Sequence, residues 1–295
     1  MNPLMLAIDS PLMRVLGWTL IHFLWQGACA GAIYAVLRYL LRSHTPTARY
    51  HLAMFTLAVL AVMPVVTLIH LISSVPVAPA RNQDLVPFLS SALFSQHSAA
   101  QSVSAGATVL ETTKGLLQGL APWAVPFWLF GVMVMSLRVW RGWKQARFLR
   151  HTAIFSSLPT WKVSVDRLQD ILGIHRVVRL AVSAGVTVPS VIGWLKPIIL
   201  IPPSVLTGLT PLQMELILAH ELAHIRRQDY LWNLLQLFVD TLLFYHPVVR
   251  WVSRHARMER EQCCDDIVVS LNGDTLNYAR ALTELERLRA PRSSM

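Results

Sequence analysis

The sequence predicts a multi-pass α-helical membrane protein that carries a cytoplasmic α+β domain. Three observations lead there: 54% of the 295 residues are apolar and only 14% charged, three long runs hold no charged side chain, and the texture changes after Arg150. Ordinary soluble domains carry about 25% charged residues, so composition alone excludes that class. The net charge of +10 would suit a nucleic-acid binder if the basic residues covered a soluble surface. They flank apolar runs instead, so direct nucleic-acid binding is not expected. Cys29, Cys263 and Cys264 offer no disulfide framework, because one lies in an apolar run and the other two are adjacent, where a bridge would be strained.

The first element is a span over Val15 to Leu37, the second runs from Leu52 to Ile72 and the third from Leu116 to Leu137. Each supplies the roughly 20 apolar residues that a helix needs to cross a bilayer. The first is too long for a cleavable leader and lacks a basic cluster before it, so it is expected to stay. His22, Gln26 and His70 within the runs are read as helix-to-helix hydrogen-bonding groups rather than a functional path. Orientation follows from basic residues, which favour cytoplasmic loops. Arg38, Arg42 and Arg49 surround the first short connection, and Arg138, Arg141, Lys144, Arg147 and Arg150 follow the third span, which puts both sites in the cytoplasm. Residues 73–115, with only Arg81 and Lys114 as basic groups, then form an external loop, and the N-terminus is external too. Trp140 and Trp143 among these cations read as an interfacial anchor.

Residues 1–150 are therefore expected to form the three-span region and 151–295 the cytoplasmic domain. In the latter, Trp161 to Val165 and Val178 to Val182 alternate, and Val186 to Ile201 holds two β-rich pieces around Gly193-Trp194-Leu195-Lys196-Pro197. These predict a small antiparallel sheet. Because Pro202-Pro203 closes the last piece and proline cannot donate to a ladder, Ile198 to Ile201 is placed at an edge.

Thr210-Pro211-Leu212-Gln213 then marks a helix start, with a capping Thr, Pro at the first helical position and Gln to close a capping box. The helix contains His220-Glu221-Leu222-Ala223-His224. Two imidazoles four residues apart share one face and can hold one zinc ion, while Glu221 beside them can take a proton from a water on the metal. A pair of ordinary surface or core histidines would show the same spacing. The neighbours Leu216, Ile217, Ala219, Leu222, Ala223 and Ile225 argue against that, since uncoordinated His and Glu are costly among apolar residues. A third ligand is sought in Arg257 to Asp266, where Glu261 and Asp265 stand four apart on a helix. One can bind metal while the other orients a ligating ring. Cys263 and Cys264 point about 100° apart on a helix and are read as small packing residues.

The order of three spans, the run Gly193-Trp194-Leu195-Lys196-Pro197-Ile198-Ile199-Leu200-Ile201-Pro202, the run His220 to Asp229, His246-Pro247 and Glu261-x-x-Cys264-Asp265 together resemble the BlaR/MecR-type membrane metallopeptidases, which are bacterial inner-membrane gluzincins. The resemblance covers most of the chain. It implies a zincin-like metallopeptidase domain with Zn2+ held by His220, His224 and Glu261, Glu221 as catalytic base, and Asp265 supporting a zinc-binding histidine. It also implies a protein or peptide substrate, either a cytoplasmic regulatory protein such as a transcriptional repressor or the chain itself. Antibiotic-sensing members carry a fourth span and an external penicillin-binding domain, which the residues up to Met295 do not show, so the resemblance does not extend to the stimulus.

The apolar segment Tyr230 to Tyr245 is short for a span and holds Asn233, Gln236 and Asp240. A single crossing would put Glu261 across the membrane from His224, so an apolar helix packed at the membrane surface and bent at Pro247 is expected. The Ile198 to Ile201 edge is expected to take substrate as an added strand. His246, Arg250 and Tyr278 are the residues available as further oxyanion donors. The competing reading is a membrane signalling scaffold whose zinc site is structural or idle, which the presence of Glu221 as a base opposes.

Overall fold

A computed structural model describes residues 10–74, 105–155 and 159–289. The expected external loop lies mostly outside these residues, as do the N-terminus and Met295. Three helices are long and apolar enough to cross a membrane: α1 (Pro11–Leu40), α2 (Pro46–Ser73) and the latter part of α3 (Ala105–Thr152). Then follow α4 (Pro159–Leu172), β1 (Arg179–Val182), β2 (Ser190–Ile192), β3 (Ile198–Ile201), α5 (Pro203–Gly208), α6 (Pro211–Arg227), α7 (Asp229–Leu242), α8 (Pro247–Asn272) and α9 (Thr275–Arg289).

The chain divides into two compact units, one drawn from Met1–Gly27 and Ala61–Phe130, the other from Ala28–Leu60 and Gly131–Met295. In the first unit, α1 and α3 approach so closely at Gly17 that a Cβ there would collide with the Ala121 carbonyl oxygen. Small residues allow such contact between apolar helices, where packing must supply what hydrophobic burial cannot. Gln26 of α1 and Thr67 of α2 are hydrogen-bonded at 3.1 Å, which is the helix-to-helix role expected for Gln26.

In the second unit, α6 runs through an apolar core. Met214, Ile217, Leu218 and Leu222 are buried, and Val165, Leu168 and Leu172 of α4 join them together with Val268 of α8 and Ala281 of α9. Trp161 to Val165 was expected as a strand, but α4 is a helix. A five-residue alternation places its ends four apart, and Trp161, Val165, Leu168 and Leu172 continue at spacings of four, three and four, which is a helical stripe. The sheet also departs from expectation. Its order is β1-β3-β2, with β1 parallel to β3 and β2 antiparallel to it. The strand Ile198–Ile201 is therefore central and fully buried, and β2 forms an edge. Pro197 and Pro202 flank the four residues without entering them, so every backbone N–H within the strand remains free to join a ladder.

The ends of α1 and α2 belong to this second unit and pack on α8. A Cβ on Gly31 would stand 2.7 Å from Val248, and the Tyr34 and Trp251 rings meet edge-on at 5.1 Å. Arg49 donates to Glu259 at 2.7 Å and to Gln262 at 2.9 Å, while Arg38 lies 3.7 Å from Glu259. Helix α7 is amphipathic, with Gln236 and Val239 buried and Leu234, Leu235 and Phe238 exposed.

Candidate metal centre

Helix α6 begins as its sequence demands. Thr210 accepts from the Gln213 backbone and the Gln213 side chain accepts from Thr210 N–H, so two otherwise orphaned donors are satisfied. The helix brings His220 and His224 to one face, and α8 brings Glu261 to meet them. Their Nε2 atoms lie 3.2 Å apart, and Glu261 Oε2 lies 3.7 Å from His220 Nε2 and 3.4 Å from His224 Nε2. Three donors about 2.1 Å from one tetrahedral ion would stand about 3.4 Å from each other, so this triangle fits a metal ion. The donor set of two imidazoles and a carboxylate is that of hydrolytic zinc sites.

Each ring is held from behind through its other nitrogen. His220 Nδ1 lies 2.8 Å from the Tyr278 hydroxyl and 3.2 Å from Asp265, and Tyr278 donates to Asp265 at 2.6 Å. His224 Nδ1 lies 2.8 Å from Asp229 Oδ2, with Cys264 Sγ 3.3 Å from the same nitrogen. Asp229 is buried, and it reaches back because Gln228 takes a left-handed turn (φ 58°) that ends α6 and starts α7 without a loop. A non-glycine residue in that conformation costs roughly 1–2 kcal/mol, offset here by aiming Asp229 at His224. Arg227, whose guanidinium lies 5.1 Å over the Tyr50 ring, stands 3.5 Å from the second oxygen of Asp229.

His224, Asp229 and Cys264 form a second group that could hold a metal, through the other nitrogen of His224. Its 2.8 Å histidine-to-carboxylate separation is a hydrogen-bond length, shorter than two ligands of one ion require. That group therefore reads as support for the ring.

The electrostatics follow from these contacts. Burial opposes charge on both rings, but the carboxylates outweigh it: Asp265 and Glu261 hold His220 at about 9, and Asp229, Cys264 and Glu261 hold His224 at about 12. Glu261 and Asp265 are held below their ordinary values by the rings despite burial. Glu221 is pushed up by burial, against the pull of His224 and His220. Burial raises Cys264 to about 11, which makes it a neutral neighbour.

His220, Glu221, His224 and Glu261 all line a cleft of 390 Å³, with Arg176, Trp194 and the edge strand β2 on another wall. The structure thus gathers the expected His220, Glu221, His224, Glu261 and Asp265. His246, Arg250 and Tyr278 do not line the cleft: His246 caps α8 by accepting from Val248, Arg250 is exposed, and Tyr278 is engaged behind His220. Sequence reasoning missed Asp229, although it stands five residues beyond His224 in the run that was singled out. A carboxylate directly after the last turn of such a helix was the available signal.

Three helices of membrane-crossing length and a His-His-Glu group at an open cleft define a class, a membrane protein built around a potential metal site. The chain belongs to the BlaR1 peptidase M56 family, whose model matches residues 18–294. It is similar to the regulatory protein BlaR1 of Bacillus licheniformis, 24% identical over 177 residues that make up 57% of this chain and 28% of the relative. It is also similar to the methicillin resistance mecR1 proteins of Staphylococcus aureus and Staphylococcus epidermidis, each 20% identical over 167 residues, 55% of this chain and 28% of theirs. The chain spans less than a third of the length of these relatives.

Proposed function

We propose that the protein is an integral-membrane zinc-dependent endopeptidase of the bacterial inner membrane. In this reading residues 1–150 provide the membrane spans with the N-terminus outside, and residues 151–295 form a cytoplasmic zincin-like domain. The substrate is a cytoplasmic regulatory protein, of the transcriptional-repressor kind, or the chain itself. One observation carries the reading: His220, His224 and Glu261 converge beside Glu221 at a cleft open to a peptide.

His220, His224 and Glu261 would hold the zinc. Bound zinc supplies Lewis acidity, which polarises a carbonyl and brings the pKa of a water towards about 7. Glu221 takes the proton of the attacking water and delivers it to the leaving amine. Burial raises its affinity for protons, which favours it as the acceptor of that proton. Asp229 and Asp265 hold the two rings with Nε2 directed at the cleft, which fixes the tautomer. Substrate is held by β2, not by β3 as the sequence suggested, since the edge Ser190–Ile192 borders the cleft and can accept an added strand.

The test is zinc content and peptide cleavage by the purified protein, wild type beside Glu221→Gln. Stoichiometric zinc in both with cleavage only in the wild type is expected. Zinc in both with cleavage in neither would make the protein a signalling scaffold with an idle site. Cleavage by Glu221→Gln would remove Glu221 from its role.

A further inference from the structure

Away from the metal centre, Val139, Trp140 and Trp143 of α3 face Leu231, Leu235 and Phe238 of α7 across a groove of 730 Å³. The groove wall has no charged side chain, and Ser136 and Thr241 are its polar residues. Its rim is different. Lys144 Nζ stands 4.1 Å over the Trp140 ring and the Arg147 guanidinium 4.8 Å over the Trp143 ring, so the two indoles that line the groove each carry a cation. No acidic residue occurs between Glu111 and Asp166. The nearby Asp240 of α7 is turned to α8, where it accepts from Ser253 and pairs with Arg257 at 3.4 Å.

An apolar trough rimmed by two cations at the end of a helix of membrane-crossing length matches a molecule with an apolar chain and a negative head. We propose that this groove binds an anionic phospholipid, with one acyl chain between α3 and α7 and the phosphate held by Lys144 and Arg147. Indole rings favour the depth of lipid headgroups, and basic pockets between membrane helices select anionic heads. A second copy of the chain could cover the apolar wall through its own α7, but the two carboxylates of that helix, Asp229 and Asp240, are engaged with His224 and with Ser253 and Arg257 and would not serve the two cations. Occupancy would also steady α7, whose first residue is Asp229.

The full-length protein in nanodiscs of equal phosphatidylglycerol and phosphatidylcholine, analysed by native mass spectrometry, tests the site. The wild type should retain phosphatidylglycerol in preference. Lys144→Gln with Arg147→Gln should reduce that preference by about 25-fold, at about fivefold for each cation near an anionic head. Arg138→Gln with Arg141→Gln removes the same charge from the face of α3 opposite Ser136, Val139, Trp140 and Trp143 and should leave the preference in place. Leu235→Glu, an exposed position, should lose the lipid with both cations intact, at unchanged helicity by circular dichroism. Equal retention of the two lipids, equal loss in the two double variants, or a two-chain species that phosphatidylglycerol does not dissociate would each overturn the proposal.

Discussion

Arg49 Nε lies 2.7 Å from Glu259 Oε2, and Glu259 stands two residues before Glu261 on the same helix. The connection between α1 and α2 is thereby tied by an ion pair to the helix that delivers the third member of the metal group. Glu259 is 3% exposed, with Arg38 at 3.7 Å as a weaker second partner. Removing one member of a buried pair costs about 3–5 kcal/mol, because the other charge is left without compensation. Arg49→Met should lower the melting temperature of the detergent-solubilised protein accordingly, and Arg49→Met with Glu259→Gln should recover much of the loss. A single variant that melts like wild type would show that Arg38 alone neutralises Glu259.

Asp229 and Asp265 each support one histidine, so Asp229→Asn and Asp265→Asn should each weaken zinc binding or slow turnover by about 10- to 100-fold. Asp266, which is exposed, should tolerate the same change. Competition against a chelator measures all three. An Asp229→Asn protein with wild-type affinity would mean that Cys264 and the packing around His224 suffice to hold the ring.

Metal uptake should release protons. In the metal-free protein the carboxylates raise His220 to about 9 and His224 to about 12, but their Nε2 atoms lie 3.2 Å apart with room for one proton between them, so the pair shares one proton at neutral pH that two ligands must give up. Zinc binding near pH 7 should therefore release about one proton, read by calorimetry in buffers of different ionisation enthalpy. The same shifts set stability without metal. A histidine raised from 6.5 stabilises fully below 6.5 and loses its contribution as pH rises through about 9. The depressed Glu261 and Asp265 contribute above the ordinary carboxylate range and lose their contribution on acidification. The chelated protein should thus melt highest between about 4.5 and 6.5, and lower by pH 10.

The proposed topology can be read from outside intact cells. With the native cysteines replaced, a single Cys at Ser74, after α2, should react with a membrane-impermeant thiol reagent. One at Ser270, on α8, should not. Reaction at both would mean that α7 crosses the membrane and would separate Glu261 from His224, which a shared metal forbids.

Residue chemistry and spacing in the sequence were enough to determine the three apolar helices and the capped helix with its two histidines, while between Glu261 and Asp265 as their partner spacing left the choice open and only the family resemblance pointed to Glu261. Each of these rests on a local rule: length against bilayer thickness, the fourth residue returning to the same helical face, a hydroxyl at a helix start. What lay beyond reach depends on distant partners. Ile198–Ile201 is central rather than at an edge because β1 and β2 flank it, and Trp161 to Val165 is helical because its stripe continues into the core. Asp229 finds His224 through one left-handed residue, and Tyr278 joins Asp265 behind His220 from a helix 58 positions along the chain. Tertiary packing alone decided these, since a periodic pattern records which face of an element is apolar but not which element covers it.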